Sequence, residues 1–485
     1  MKKMFTKLMT LSLFLAVAMV FAPVQQKVWA ETAPAGSIDV TTLGVKNDGV
    51  TDDTTAIQNA ISTAASQGKN LFFPQGTYVI TGNITPASNV WFLGSTGGST
   101  IFDASSTTSF PTFNQTNYYT VLNNVQFHNI IFANMGLNFY GGYITGIEVH
   151  DSAFINGSSP DPSSVNDVSN TNYYIKMSHN SIVVDSCVFL RGNSYPGGGI
   201  FTYQTSGSNV TNNYLGNLSV QQYANPMLNS TEQNILSQLN SISAKYNLGG
   251  NQGNFVRFMQ ADADSNLVFQ NNFIYGNKGD YVTYADGKTS VRDHILYAHG
   301  YNGIQVIGNY FSGWAPDQYG GVKLRNSNNT VVASNFMDDT AFLSYIYNTD
   351  TIAPMTFTNA FYYNNFIRRT YNFNVPYGSA MYWQNFTNNP DNNQVGDTTN
   401  NAYYKNLLQT DAAHDDKFSF AQTDMSNFHF NGNIYTNTNT PIIVNGSSTY
   451  AQDNDSTIQA LCPVTFSTIQ NVPIPLYSTG GVPPR

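Results

Sequence analysis

Along most of the chain, apolar residues do not recur at every third or fourth position. They alternate with polar ones in runs of three to five, and pairs rich in Asn, Asp, Ser and Gly separate the runs. That pattern predicts short strands with one buried face rather than helices. One phrase keeps returning: an apolar residue, a polar pair, then an aromatic. It reads VQFHNIIFAN at 125–134, IEVHDSAFING at 147–157, IVVDSCVFLRGN at 182–193 and NVTNNYLGN at 209–217. It continues as NLVFQNNFIYGN at 266–277, IQVIGNYFSG at 304–313 and NTVVASNFMDD at 329–339, with weaker copies FYYNNFIRR at 361–369 and FHFNGNIYTN at 428–437.

The closing aromatics Phe132 and Phe154 lie 22 residues apart, and Phe189 and Tyr214 lie 25 apart, as do Phe311 and Phe336. A period in the low twenties is one turn of a three-sided solenoid in which like residues stack from turn to turn. The chain is therefore predicted to be all-β, a parallel β-helix. Phe132, Phe154, Phe189, Phe273, Phe311 and Phe336 should form buried stacks. The Asn before each aromatic should sit at a corner, where it tolerates left-handed backbone and bonds to its neighbour above. The wider gaps at 155–180, 217–263 and 278–303 read as loops thrown outward. The middle one contains SVQQYANPMLNSTEQNILSQLNSISAKYNLGG, partly helical and placed to cover a groove.

Two stretches break the alternation. Residues 1–30 begin with Lys2, Lys3 and Lys7, continue through an uncharged apolar run from Leu8 to Val24, and end in Val28-Trp29-Ala30. That is the pattern of a secretory signal peptide with its cleavage site. No later run is long and apolar enough to cross a bilayer. At 54–66 the period becomes helical, with Ile57, Ala60, Ile61, Ala64 and Ala65 on one face, Asp52 or Asp53 as N-terminal cap and Gly68 as stop. Such a helix would plug the open end of the first turn. The expected organisation is thus a signal peptide at 1–30 and a single β-helix domain at 31–485, with long loops near 217–263 and 278–303 and an irregular C-terminal tail.

Without residues 1–30, which carry four lysines and no acid, 16 Lys and Arg face 29 Asp and Glu, a net charge of −13. A strongly acidic exported chain is a poor ligand for nucleic acid and for anionic membranes. Two cysteines, Cys187 and Cys462, are too few for a disulfide framework, and Cys187 in VVDSCVF reads as a buried thiol.

IDVTTLGVKNDGVTDDTTAIQNAI at 38–61, followed by LFFPQGTYVI at 71–80, resembles the opening of pectate-lyase-superfamily proteins. The resemblance is specific over these first 45 or so residues, and the repeats are consistent with it further on. It implies a right-handed parallel β-helix with an N-terminal capping helix, extracellular carbohydrate chemistry and a polysaccharide partner. It does not choose a reaction, because the superfamily holds lyases, hydrolases, epimerases and phage tailspikes. The polygalacturonase motifs occur only in scrambled order (His299-Gly300, Asp338-Asp339, Asn348-Thr349-Asp350), so no catalytic residue carries over.

Candidate chemistry is therefore read from the residues. Eight of the 16 cations fall between 257 and 369: Arg257, Lys278, Lys288, Arg292, Lys323, Arg325, Arg368 and Arg369. A uronate lyase must neutralise a carboxylate and hold a base near C5. In GGVKLRN at 320–326, Lys323 and Arg325 share one strand face, Lys323 as a candidate base and Arg325, with Arg292, to hold the carboxylate. The loop VRDHILYAHGYNG at 291–303 adds His294 and His299 as candidate bases, and Arg292 and Tyr297, with Tyr319, as substrate contacts. The competing set is carboxylate: Asp317 and Asp338 are 21 apart, with Asp339 adjacent; a hydrolase needs such a group of acids, and here they would have to be Asp because Glu is nearly absent. A non-catalytic carbohydrate-binding protein, with Tyr and Asn along exposed faces, is the third class. No metal centre is predicted. Calcium is the one candidate ion, through Asp262 and Asp264 in MQADADSN.

Overall fold

A computed structural model describes residues 31–156, 173–190, 198–220, 227–248, 257–276, 294–312, 321–347, 355–369, 381–385, 398–410, 418–421, 425–435, 442–444 and 452–475, with a few isolated positions between. The predicted signal peptide, Arg292, Asp317 and Tyr319 lie outside the described residues. By backbone contacts the chain divides into two units, Met1–Thr32 and Ala33–Arg485.

The second unit is a right-handed parallel β-helix. Three parallel sheets of 13, 11 and 13 strands form its sides; the first two turns of chain lay strands on two of them, and each later turn lays one on all three. We call them sheet A (from Ser37–Asp39 to Phe428–Asn431), sheet B (from Asp48–Asp52 to Ile434–Tyr435) and sheet C (from Thr112–Asn114 to Ile442–Val444). The strands are short and parallel because each pairs only with the same strand of the turns above and below, so every inward residue meets its own counterpart.

Helix α1 (Thr54–Gln67) buries Ile57, Ala60, Ile61 and Ala64 and joins the interior core at its first turn, with Val40, Leu71 and Phe73. The two candidate caps divide the work. Asp52 Oδ1 accepts from the Thr54 N–H at 3.0 Å, while the buried Asp53 turns back to accept from the Lys46 N–H at 2.6 Å. Gly68 ends the helix with φ 62°.

The repeated phrase holds two different residues where one was expected. The left-handed corner is taken by Asn212, Asn271, Ser334 and Asn364, with Gly308 in the same role. The residue after each of these, not the corner itself, stacks inward. Asn213, Asn272, Asn309, Asn335, Asn365, Asn406 and Asn433 form a ladder in which each Nδ2 donates to the next Oδ1 at 2.9–3.0 Å. Each of those oxygens also accepts the backbone N–H of the residue below, so the amides are satisfied though most are fully buried. Cys187, buried as expected, occupies the rung below Asn213 and donates its N–H to that side chain at 3.0 Å.

The aromatics, all buried as predicted, form two columns rather than one. Phe132, Phe154 and Phe189 stack inside the helix, with centroids 4.9 and 5.2 Å apart. Above them the inward column becomes Leu215, Ile274, Phe311 and Met337, and the rings of Tyr214, Phe273, Tyr310, Phe336 and Phe366 stack on the outside of sheet B. Phe189 thus pairs with Leu215, 26 residues on, and Tyr214 with Val188. Because strand side chains alternate, a one-residue error in the period puts a side chain on the opposite face.

The outer aromatic column needs cover, and the middle loop supplies it. Helix α2 (Ser230–Tyr246) lays Ile235, Leu236 and Leu239 against it, opened by a capping box between Asn229 and Glu232. The expected helix is therefore real, but it lies on sheet B, away from the basic pair on sheet C. Its apolar face goes where apolar surface is exposed. The C-terminal tail is not irregular throughout: helices α3 (Asp455–Ala460) and α4 (Phe466–Ile469) bury Ile458 and Ile469 against Phe361, Tyr363 and Tyr404 on the outside of sheet A.

Candidate functional site

The outward positions on the middle strands of sheet C are mostly polar or aromatic, and Gln260, Asp262, Tyr297 and His299 among them are only 2%, 7%, 9% and 7% exposed. Strands Met259–Asp262, Leu296–His299 and Val322–Arg325 are neighbours in register, MQAD on LYAH on VKLR. In each, the first and third residues enter the core and the second and fourth face out. Two outward columns result: Gln260, Tyr297 and Lys323, and beside it Asp262, His299 and Arg325. Phe201 and Tyr203 continue the columns on one side, Leu343 and Tyr345 on the other.

Tyr297 is the hub. Arg325 Nη1 donates to its hydroxyl at 3.0 Å, its ring stacks on His299 at 5.6 Å and 5°, and Lys323 Nζ lies 5.2 Å from its centroid. Burial pushes the hydroxyl pKa up, and the Arg325 guanidinium opposes the shift. Lys323 Nζ also lies 4.9 Å from the Tyr345 ring, and the Arg325 guanidinium 4.4 Å from that of Tyr347. Rings that face a cation favour its charged form. His299 Nδ1 lies 3.6 Å from Asp262 Oδ1, close enough for charge attraction but long for a hydrogen bond. Gln260 fixes the other oxygen, its Nε2 donating to Asp262 Oδ2 at 2.7 Å, and Arg257 donates to Gln260 Oε1. Two strands below Gln260, Lys176 stands on the same face beside Asn138, its pKa lowered by burial.

Of the predicted residues, Lys323, Arg325, Tyr297 and His299 thus meet on one patch. His294 packs beside them, its ring 5.1 Å from Tyr297. Asp338 and Asp339 do not join them. Asp338 is on the outside of sheet B, where Arg368 Nη2 and Nε donate to it at 2.7 and 2.9 Å and the Tyr310 hydroxyl at 3.1 Å. Asp339 is a buried left-handed corner with φ 54°. The residue stacked below Asp338 is Ser312, 26 positions earlier, so a spacing of 21 is not the local repeat. Asp338 and Asp339 therefore share no patch with each other or with the basic pair.

Asp262, weighed from the sequence only as a calcium ligand, belongs to this patch. MQAD, LYAH and VKLR share an apolar-polar alternation, and that signal aligns it with His299 and Arg325. Calcium does not fit the Asp262–Asp264 pair. Asp264 points inward, accepting from Thr202 Oγ1 and the Thr205 N–H, and burial pushes its pKa up to about 7. Among the described residues no three His, Cys, Asp or Glu side chains gather to hold a metal.

Residues 37–241 match the family model described as rhamnogalacturonase A/epimerase, pectate lyase-like. Over 41 residues the chain is 56% identical to a glucan 1,3-beta-glucosidase of Cochliobolus carbonum, a stretch that is 8% of this chain and 5% of that one. Over 43 residues it is 51% identical to the non-secreted LysM effector LysM19 of Penicillium expansum, covering 9% and 3%. The chain thus matches only a small fraction of the length of these curated relatives. Among solved structures, the surface adhesin PfbA of Streptococcus pneumoniae is similar with a TM-score of 0.49 at 11% identity, over 82% of this chain and 89% of that one. The A-module of the mannuronan C-5 epimerase AlgE6 of Azotobacter vinelandii is similar with a TM-score of 0.44 at 14% identity, over 86% and 100%.

Proposed function

We propose that this chain, a member of the pectate-lyase-like superfamily of parallel β-helix proteins, is a secreted polysaccharide lyase that cleaves an acidic polysaccharide on the outer face of sheet C. One observation carries the reading: two cations, a phenol and a carboxylate-oriented imidazole converge on three adjacent strands, with Arg325 bonded to Tyr297 at 3.0 Å and Tyr297 stacked on His299. Elimination needs those parts and no others from the chain.

Lys323 and Arg325 neutralise the uronate carboxylate, which makes the C5 proton removable. With its Nδ1–H directed at Asp262, His299 carries its lone pair on Nε2 and takes that proton. The C5–H electrons form the C4–C5 double bond, the bond from C4 to the glycosidic oxygen breaks, and the Tyr297 hydroxyl protonates the departing oxygen. Tyr297 is then a phenolate beside Arg325 until it regains a proton, which passes from His299 through solvent. A hydrolase would need a pair of carboxyl groups facing one gap. Asp262 is the one acid on the described strands of sheet C.

The test is a panel of acidic and neutral polysaccharides. Absorbance of the unsaturated uronate is the expected result. New reducing ends without that absorbance would make the enzyme a hydrolase, and neither signal would leave it a binding protein. Sequencing the N-terminus of the exported protein checks secretion, with Glu31 the expected first residue.

A further inference from the structure

We propose that Tyr118, Tyr140, Tyr143 and Tyr203 form a separate stacking platform for sugar rings, so that the substrate is a long chain held well beyond the reacting residues. The inference rests on reading sheet C as a polysaccharide site. It concerns the corner where the chain leaves sheet C for sheet A, over four consecutive turns in the N-terminal half of the solenoid.

Tyr118, Tyr140 and Tyr143 are 51%, 40% and 54% exposed, a high value for side chains of this size in a chain that buries most of its aromatics. They are not scattered. Tyr118 lies 6.0 Å from Tyr143 and 5.7 Å from His179, His179 lies 6.1 Å from Tyr203, and Tyr203 lies 6.2 Å from Tyr140. Tyr140 also stacks on Phe201 at 6.1 Å and 19°. The cluster is braced from beneath. A Cβ at Gly142 would meet the Tyr118 ring at 2.8 Å, so the ring rests on bare backbone there. An exposed, mutually braced aromatic ribbon is a binding surface held in shape before its ligand arrives.

The chemistry selects a pyranose. Each Tyr offers an apolar face with a hydroxyl at its rim, which matches a sugar's C–H face and its ring of hydroxyls. A lipid or a protein anchor would call for aliphatic depth, and the described ribbon is aromatic and shallow. The nearest described cation is Lys176, paired in register with Phe201 beneath Tyr140, and no described cation lies over the rings of Tyr118, Tyr140, Tyr143 or Tyr203, so the ribbon reads the ring face and leaves the carboxylate to Lys323 and Arg325.

Position supplies the second argument. Tyr203 is paired in register with Asp262, so the ribbon runs without a break into the candidate site. From the strand preceding Tyr118 to that of Lys323 there are six strand steps, about 29 Å at the usual spacing. A chain touching both ends is several sugars long. Affinity should therefore rise with chain length and fall when the platform is removed.

The experiment measures binding, by calorimetry, of a ladder of oligosaccharides and of the polymer that the panel identifies. The proteins are wild type and the triple variant Tyr118→Ala, Tyr140→Ala, Tyr143→Ala. The variant should bind the polymer roughly 30- to 1000-fold more weakly, at about three- to tenfold per ring, and its affinity should stop rising at a shorter chain. Changing the same three residues to Phe should restore most of the binding, which a hydroxyl-bonding role would not allow. Circular dichroism checks the fold. If the folded Ala variant binds polymer as tightly as wild type, the platform is wrong while the lyase reading stands. If wild type binds and cleaves no polysaccharide of the panel, both fall.

Discussion

The outer faces of sheets B and C are built by the same turns of the same solenoid, yet they have opposite character. On sheet B the outward residues are Tyr214, Phe273, Tyr310, Phe336 and Phe366, roofed in part by helix α2, and the acid among them, Asp338, is locked to Arg368. On sheet C the outward residues are Gln260, Asp262, Tyr297, His299, Lys323 and Arg325. Both faces carry acid, cation and phenol. The difference is commitment. Asp338 accepts three hydrogen bonds within the fold, whereas Asp262 Oδ1 has no hydrogen-bond partner among the described residues and lies 3.6 Å from His299. A buried charge that is fully paired is committed to the fold, whereas a buried carboxylate oxygen left part-answered beside an imidazole marks a candidate functional group.

The widest separation of the two faces should come from turnover. His299→Ala and Tyr297→Phe should each cut β-elimination by about 10²-fold or more, the loss typical of a general base or acid, while the melting temperature moves little. Arg325→Ala and Lys323→Ala should do the same through the carboxylate. Asp338→Asn should leave the rate of the folded enzyme nearly unchanged. If Asp338→Asn were instead the variant that abolishes cleavage, the assignment of chemistry to sheet C would be wrong.

Stability should respond in the reverse order. Removing one partner of the buried pair, as in Asp338→Ala, should cost about 3–5 kcal/mol because the Arg368 charge is left alone. Phe336→Ala belongs in the same range, as a large aromatic lost from a packed column. Chemical denaturation measures both. Replacing the pair together, Asp338→Leu with Arg368→Met, should recover much of the loss, since the surroundings are apolar. A ladder amide lies between the faces in effect: Asn309→Ala leaves the Asn272 side chain and backbone N–H without their acceptor and should cost about 2–3 kcal/mol.

The smallest effect is a pH dependence on the sheet B side. Glu232, buried beneath the start of α2, has its carboxyl pKa pushed up to about 8, chiefly by burial, against an ordinary 4.5. A carboxyl raised in the folded state contributes stability that is fully present below 4.5 and lost as pH rises through about 8. The melting temperature should therefore fall between pH 5 and pH 8, and Glu232→Gln, which keeps the helix cap, should flatten that slope. An unchanged slope in the Gln variant would assign the decline to other buried acids such as Asp264.

The features legible in the sequence are the local ones. Alternation announces strands, the returning phrase announces a solenoid, and Ile57, Ala60, Ile61 and Ala64 announce the plugging helix, because each pattern is set by neighbours within one turn of chain. Lys323, Arg325, Tyr297 and His299 were reachable because they fall on two short strands with the same alternation. Register between turns is not local. Loops of different length separate the turns, so no single period tells whether Tyr214 stacks on Phe189 or on Val188, nor whether Asp338 lies above Asp317 or Ser312. Only the hydrogen-bonded pairing of strands decides that, and with it which face a side chain occupies. Asp262 gained its role in the same way, 37 residues from His299 in the chain and one strand away in the fold. The sequence by itself determined the kind of building and most of the chemical groups in it. The tertiary structure decided which of those groups meet, because a strand has two faces and a shift of one residue exchanges them.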